Sequence, residues 1–159
     1  MDVATRRKAL RLLSNGVYII TARDGEDFGA ATVTWISQAS FKPPLLMAAV
    51  RADSNVFKCL SRSGAAAVHI VDRGQQEIAQ RFFTPTCADA ARINGEPFHG
   101  GTTSAPILEN MGAYLECRVK RIVEGEGDHA IVLLEVQEAE CRTAVSPLTI
   151  RESPWEYGG

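Results

Sequence analysis

The pair Pro43-Pro44 stands between two strand-like runs, and this break constrains the fold more than any other feature of the chain. Proline cannot donate to a β-ladder, so residues 30–40 (AATVTWISQAS) and the apolar run 45–50 (LLMAAV) must be separate strands joined at a corner. The first run interleaves small and hydroxyl residues with Val33, Trp35 and Ile36, a pattern expected of a strand whose end faces a polar ligand. Other β-branched or apolar runs fall at 17–22, 65–71, 113–123 and 129–136. The turn Asp24-Gly25-Glu26-Asp27 makes the run from Phe28 a hairpin partner of the first, and Glu124-Gly125-Glu126-Gly127-Asp128 joins the last two. Three short helices fit between. Residues 3–14 place Leu10 and Leu13 opposite Arg6, Arg7, Lys8 and Arg11, and Asn15-Gly16 stops them. Ser54 caps a second helix closed near Gly64, and 75–83 carries Ile78 and Phe82 on one side. Residues 84–101 read as a long surface connection covering something. The chain is thus expected to be one domain, 1–159, mainly β with short helices.

With 45% hydrophobic residues, 159 positions suffice for a real core. A formal charge of −2 provides no field to gather nucleic acid or acidic lipid, so any anion has to be held locally. No run approaches the roughly 18 apolar residues of a membrane span. Cys59, Cys87, Cys117 and Cys141 are scattered, without the spacing or histidines of a zinc site, and read as thiols in a reducing compartment. No metal is expected, and the expected location is the cytoplasm.

The strongest anion candidate follows the second strand of the Pro-Pro corner. Arg51, Ser54 and Asn55 would bring a guanidinium, a hydroxyl and the free N–H groups of a helix N-terminus to one phosphate. Ser54 also reads simply as a helix cap. His129 opens a strand after a Gly-Asp turn, where an imidazole sits at a pocket mouth, and it is the catalytic candidate beside an equally weighted structural reading. His69 and His99 read as structural. For Phe82 core packing is favoured over contact with a ligand, and Trp35 reads as core, interface or ring shield.

These segments resemble the flavin reductase-like, FMN-binding split-barrel family. The string TVTWISQASFKPP is similar to a motif in the flavin reductase domain of diflavin flavoproteins. The likeness extends to GVYIITARDG, QQEIAQRFF, AYLECRV, the tripeptide Gly127-Asp128-His129 and the YGG tail. The resemblance implies an antiparallel six-stranded split barrel working as a homodimer. It implies that Thr32, Val33, Thr34 and Trp35 line the isoalloxazine and ribityl chain of FMN, with Ser37, Gln38, Ala39 and Ser40 alongside and Phe82 at the edge. Arg51, Ser54 and Asn55 match the phosphate end, and His129 is associated with the flavin or an incoming nicotinamide. The implied reaction is hydride transfer from NADH or NADPH to flavin, with reduced flavin or electrons passing to a partner oxygenase or other acceptor. A flavin-binding electron carrier without nicotinamide oxidation is the alternative.

Overall fold

The computed structural model describes all 159 residues. Ten strands and three helices follow in chain order: α1 (Val3–Leu10), β1 (Tyr18–Asp24), β2 (Asp27–Val33), β3 (Ile36–Ser40), β4 (Leu45–Arg51) and α2 (Asn55–Ser63) form the first half. The second half holds β5 (Ala65–Ile70), α3 (Gln76–Arg81), β6 (Arg92–Ile93), β7 (Glu96–Gly100), β8 (Pro106–Leu108), β9 (Ala113–Val123) and β10 (His129–Cys141). The fold is mainly β and antiparallel, as the short punctuated runs predict. Its main sheet has seven strands in the order β2-β1-β5-β9-β10-β4-β3, where the resemblance implied six. The additional strand arises because the run 30–40 does not stay in one ladder. It leaves β1 after Val33, turns through Thr34 and Trp35, and resumes against β4 with Ile36 opposite Ala48. The two ends of the sheet order are therefore consecutive in the chain, and the sheet curls until they meet at these two residues.

One face of the sheet closes over Ile20, Ala48, Val50, Val132 and Leu134, with Val56, Phe57 and Leu60 of α2 laid into it. Strand alternation sends Val17, Ile19 and Ala30 to the other face, where Phe82, Ile93, Leu108 and Met111 meet them. Gly29 of β2 lets α2 approach: a Cβ there would run into the backbone of Asn55 and Val56. Only glycine therefore allows the N-terminus of α2, with Arg51 and Ser54 before it, to lie beside the Thr34–Trp35 corner. At the other end Gly64 adopts the left-handed conformation, φ 70°, that terminates the helix.

Two sequence expectations are revised. Residues 84–101 are not merely a surface connection, because β6, β7 and β8 pair in a small sheet. The buried carboxylate of Glu96 in β7 is held by Arg81 and by the amide of Asn110, 2.9 Å away. The first helix ends at Leu10 and buries none of its residues, and Leu10 and Leu13 are both exposed rather than in the core. Its contacts are instead with the C-terminal tail.

His69 is structural, as read. It is fully buried, its Nδ1 lies 3.0 Å from the Ile19 carbonyl and its Nε2 accepts the Leu108 N–H at 3.0 Å. An imidazole that accepts at Nε2 and faces a carbonyl at Nδ1 is neutral with its hydrogen on Nδ1. All four cysteines are free, and no cluster of three potential metal ligands occurs. No helix is long and apolar enough to cross a membrane.

Candidate functional site

The corner between β2 and β3 carries hydrogen-bonding capacity that the chain leaves unused. Thr34 is buried, and its hydroxyl is the single buried side-chain polar atom in the protein without a partner. Burying a hydroxyl unpaired costs about 1–3 kcal/mol, so this atom calls for a ligand. Neither the Thr34 nor the Trp35 N–H donates to any group of the chain, although the Trp35 carbonyl accepts the Ala49 N–H at 2.9 Å. Two amides and a hydroxyl thus stand free at one bend, a donor set suited to the carbonyls and ring nitrogens of a planar heterocycle. The neighbouring threonine is already committed: Thr32 donates its hydroxyl to the Ala79 carbonyl at 2.6 Å and its N–H to the Phe82 carbonyl at 3.2 Å.

His129 faces this corner across β4, because the register of β10 against β4 sets it opposite Arg51. Its ring centroid lies 4.7 Å from that of Trp35. The Asp128 carboxylate lies 2.7 Å from His129 Nδ1, and the hydroxyl of Tyr157 lies 3.2 Å from Nε2. A carboxylate only accepts, so Nδ1 carries the hydrogen that bonds it, and the tyrosine hydroxyl bonds the other ring nitrogen. The bond from His129 holds the Asp128 carboxyl below its ordinary range, while burial raises the Tyr157 phenol. The imidazole is therefore oriented from both sides.

Three cavities surround the corner. A central one of about 80 Å³ is lined by Thr32, Val33, Thr34, Trp35, Arg51, Ser54 and His129, among others. A second, of about 460 Å³, opens toward α1 and is lined by Trp35, Ser37, Met47 and Ile131. The third, of about 530 Å³, is lined by Thr32, Thr34, Arg51, Phe82, Phe83 and Trp155. The structure thus brings nine of the thirteen candidate residues around one bend: Thr32, Val33, Thr34, Trp35, Ser37, Arg51, Ser54, Phe82 and His129. Gln38 and Ala39 are exposed along β3, Ser40 ends that strand, and Asn55 is an exposed first residue of α2; these four line none of the three cavities.

The phosphate candidates are partly engaged. Arg51 makes a bidentate pair with Asp53, at 3.0 and 2.8 Å, which raises the affinity of the guanidinium for its proton and lowers the Asp53 carboxyl. The Ser54 hydroxyl accepts the Phe57 N–H at 3.1 Å and donates to the Arg51 carbonyl at 2.7 Å, so it serves as the cap of α2. Phe82 is buried in the second core but reaches the third cavity with one side, so packing and cavity lining coexist. Tyr157 is the residue that sequence reasoning missed. The Trp-Glu-Tyr pattern at 155–157 was the available signal, since aromatics so close together seek a surface to cover.

The residues fit a flavin on the strength of this geometry. Thr34 and the two free amides would meet a ring bearing acceptors, Trp35 and Val33 would supply apolar faces, and Arg51 at the rim would meet an anionic group.

Comparison with known proteins agrees. The chain is 36% identical over 146 residues to diflavin flavoprotein A 1 of a Synechocystis species, covering 87% of this chain and 25% of that protein. It therefore spans about a quarter of the length of that relative. It is 33% identical over 152 residues to the flavin reductase (NADH) of Kitasatospora aureofaciens, covering 93% of this chain and 78% of that one. Among solved structures, the NADH:FAD oxidoreductase of Streptomyces globisporus in complex with NAD and FAD fragments superposes with a TM-score of 0.75 at 28% identity, covering 92% of this chain and 86% of that chain. Residues 10–153 match the family described as flavin reductase like domain, and with nearly the whole fold and the Thr34–Trp35 corner inside that span, the chain belongs to this family.

Proposed function

We propose that the protein is an NADH- or NADPH-dependent flavin reductase using FMN, and that it passes reduced flavin or electrons to an oxygenase or another acceptor. The observation that carries the reading is the unpartnered, buried Thr34 hydroxyl beside the free amides of Thr34 and Trp35. With the flavin bound, the chemistry it supplies is hydride acceptance from the nicotinamide. The chain positions and shields. Thr34 and the two amides hold the ring in register, Trp35 and Val33 exclude water from it, and Arg51 faces the phosphate. His129, held by Asp128, orients the nicotinamide and shapes the local field, and no side chain is required as a nucleophile. A homodimer accords with the exposed apolar residues Phe41, Met47 and Ile131 around the outer face of β4 and β10.

Anaerobic single-turnover mixing of FMN-loaded protein with NADH and with NADPH tests this reading. Loss of the oxidised flavin absorbance is expected with one or both. In His129→Ala, reduction is expected to slow roughly tenfold to a hundredfold without stopping, since orientation is lost while the reacting groups remain. An unreduced flavin with both nucleotides would refute the reading, and an unchanged rate and nicotinamide affinity in the variant would return His129 to structure.

A further inference from the structure

The C-terminal tail lies where the site needs open space. Tyr157 is the one residue common to the linings of all three cavities around the Thr34–Trp35 corner. Its ring centroid stands 5.2 Å from that of Trp35, and its hydroxyl bonds His129. The central cavity of about 80 Å³ falls well below the roughly 300–1,000 Å³ of small-molecule sites, whereas the two flanking cavities lie within that range. The tyrosine therefore stands where the three cavities meet.

Apart from the contacts of Tyr157 with Trp35 and His129, what holds the tail is weak and external. Trp155 packs against Phe83 at 4.8 Å and touches the second core, so the chain is anchored up to that point. Beyond it, Glu156 pairs with Arg11 at 2.9 Å, and the carbonyls of Gly158 and Gly159 accept from Arg11 and Arg7 at 3.1 and 3.3 Å. These partners are exposed, and exposed pairs of this kind contribute little. They also come from α1 and its C-cap, a helix with no buried residue. A segment so fastened is displaced at small cost by a ligand that binds what it covers.

Resting on the flavin reductase reading, we propose that Tyr157 occupies the stacking place beside Trp35 and His129 until a nicotinamide ring displaces it. The tail is a strap, and Arg7 of α1 and Arg11 at its C-cap set how readily it leaves. While the strap is closed, the apparent nicotinamide affinity is reduced by the fraction of open chains. The closed contact also covers the corner from solvent between turnovers.

The test uses the FMN-loaded 159-residue chain and NAD+, which binds without reducing the flavin. The variants are Tyr157→Ala, which removes the occupant, and Arg11→Ala, which loosens the strap from outside the site. The dissociation constant of NAD+ is expected to fall about fivefold to tenfold in both, the gain from a strap closed in most free molecules. With saturating NADH, the flavin reduction rate of Arg11→Ala is expected to match the parent, so the change appears in affinity alone. Flavin reduction by the parent, combined with NAD+ affinity that is unchanged or weaker in either variant, overturns the strap and leaves the proposed function standing. Absence of both flavin reduction and NAD+ binding in the parent and the two variants overturns both.

Discussion

Arg51→Ala is expected to weaken FMN binding roughly tenfold or more, the scale of a lost charge-assisted hydrogen bond, while leaving riboflavin nearly unaffected. The two ligands share the ring and differ in the phosphate, so their comparison isolates the group that Arg51 faces. The guanidinium stands at the rim of the central cavity and is held there by Asp53 two residues later. That pairing has a second consequence. A phosphate competes with Asp53 for the same fork of donors, and the Asp53 carboxylate repels it. Asp53→Asn is therefore expected to strengthen FMN binding without altering riboflavin. Isothermal titration of both ligands against the parent and the two variants measures this. Equal weakening of FMN and riboflavin in Arg51→Ala would place the phosphate elsewhere.

The second large effect is on stability under acid, and it is expected from His69. Burial pushes this imidazole down to about 4 from 6.5, so the folded protein holds it neutral over a range in which the unfolded chain binds a proton. The unfolded state binds more protons between these values, hence stability rises with pH across the window. The His69 contribution is complete above pH 6.5 and is lost as pH falls toward 4. Its size is about 3 kcal/mol, a substantial part of a typical domain's total. Protonation would also set a hydrogen on Nε2 against the Leu108 N–H that it accepts. The carboxyls lowered by their partners, such as Asp72 with its bonds to Gly74 and Ser146, act in a lower window, below their ordinary value of 3.8. Denaturant unfolding at intervals from pH 7 to 4 is expected to show the loss, and His69→Gln is expected to flatten it while lowering stability at pH 7. A parent stability that stays level over this range would contradict the account.

Much of the frame could be read from residues close together in sequence. Pro43-Pro44 separated β3 from β4, the Asp-Gly-Glu-Asp turn gave the first hairpin, and Ser54 with Gly64 bounded α2. Strands β6 to β8 were not legible, because two-, five- and three-residue strands have too little alternation to signal themselves. Leu10 and Leu13 read as the apolar side of one helix over 3–14, yet the helix stops at Leu10 and both leucines are exposed, since a helical stripe says only that a face is apolar and not that a surface exists to receive it. At the site, the bend at Thr34 and Trp35 was legible as the end of a hydroxyl-rich strand. The contact of Tyr157 with His129, 28 residues away, depends on how the tail returns over the sheet, which no local pattern encodes. The engagement of Arg51 with Asp53 was missed although both lie within one short turn, because a salt bridge between neighbours depends on side-chain direction.

The central claim is that the Thr34–Trp35 corner is built to hold a flavin ring, and thermal unfolding of Thr34→Val with and without FMN tests it most directly. Valine keeps the shape and removes the hydroxyl that has no partner in the chain. Without flavin, the variant is expected to be more stable than the parent by about 1 kcal/mol, or roughly 2–4 °C in a chain of this length. With flavin, the order is expected to narrow or reverse, because the parent gains a hydrogen bond that the variant cannot form, worth about twofold to tenfold in FMN affinity. A variant that melts lower than the parent without FMN, or that binds FMN equally well, would contradict the claim that this hydroxyl waits for the flavin.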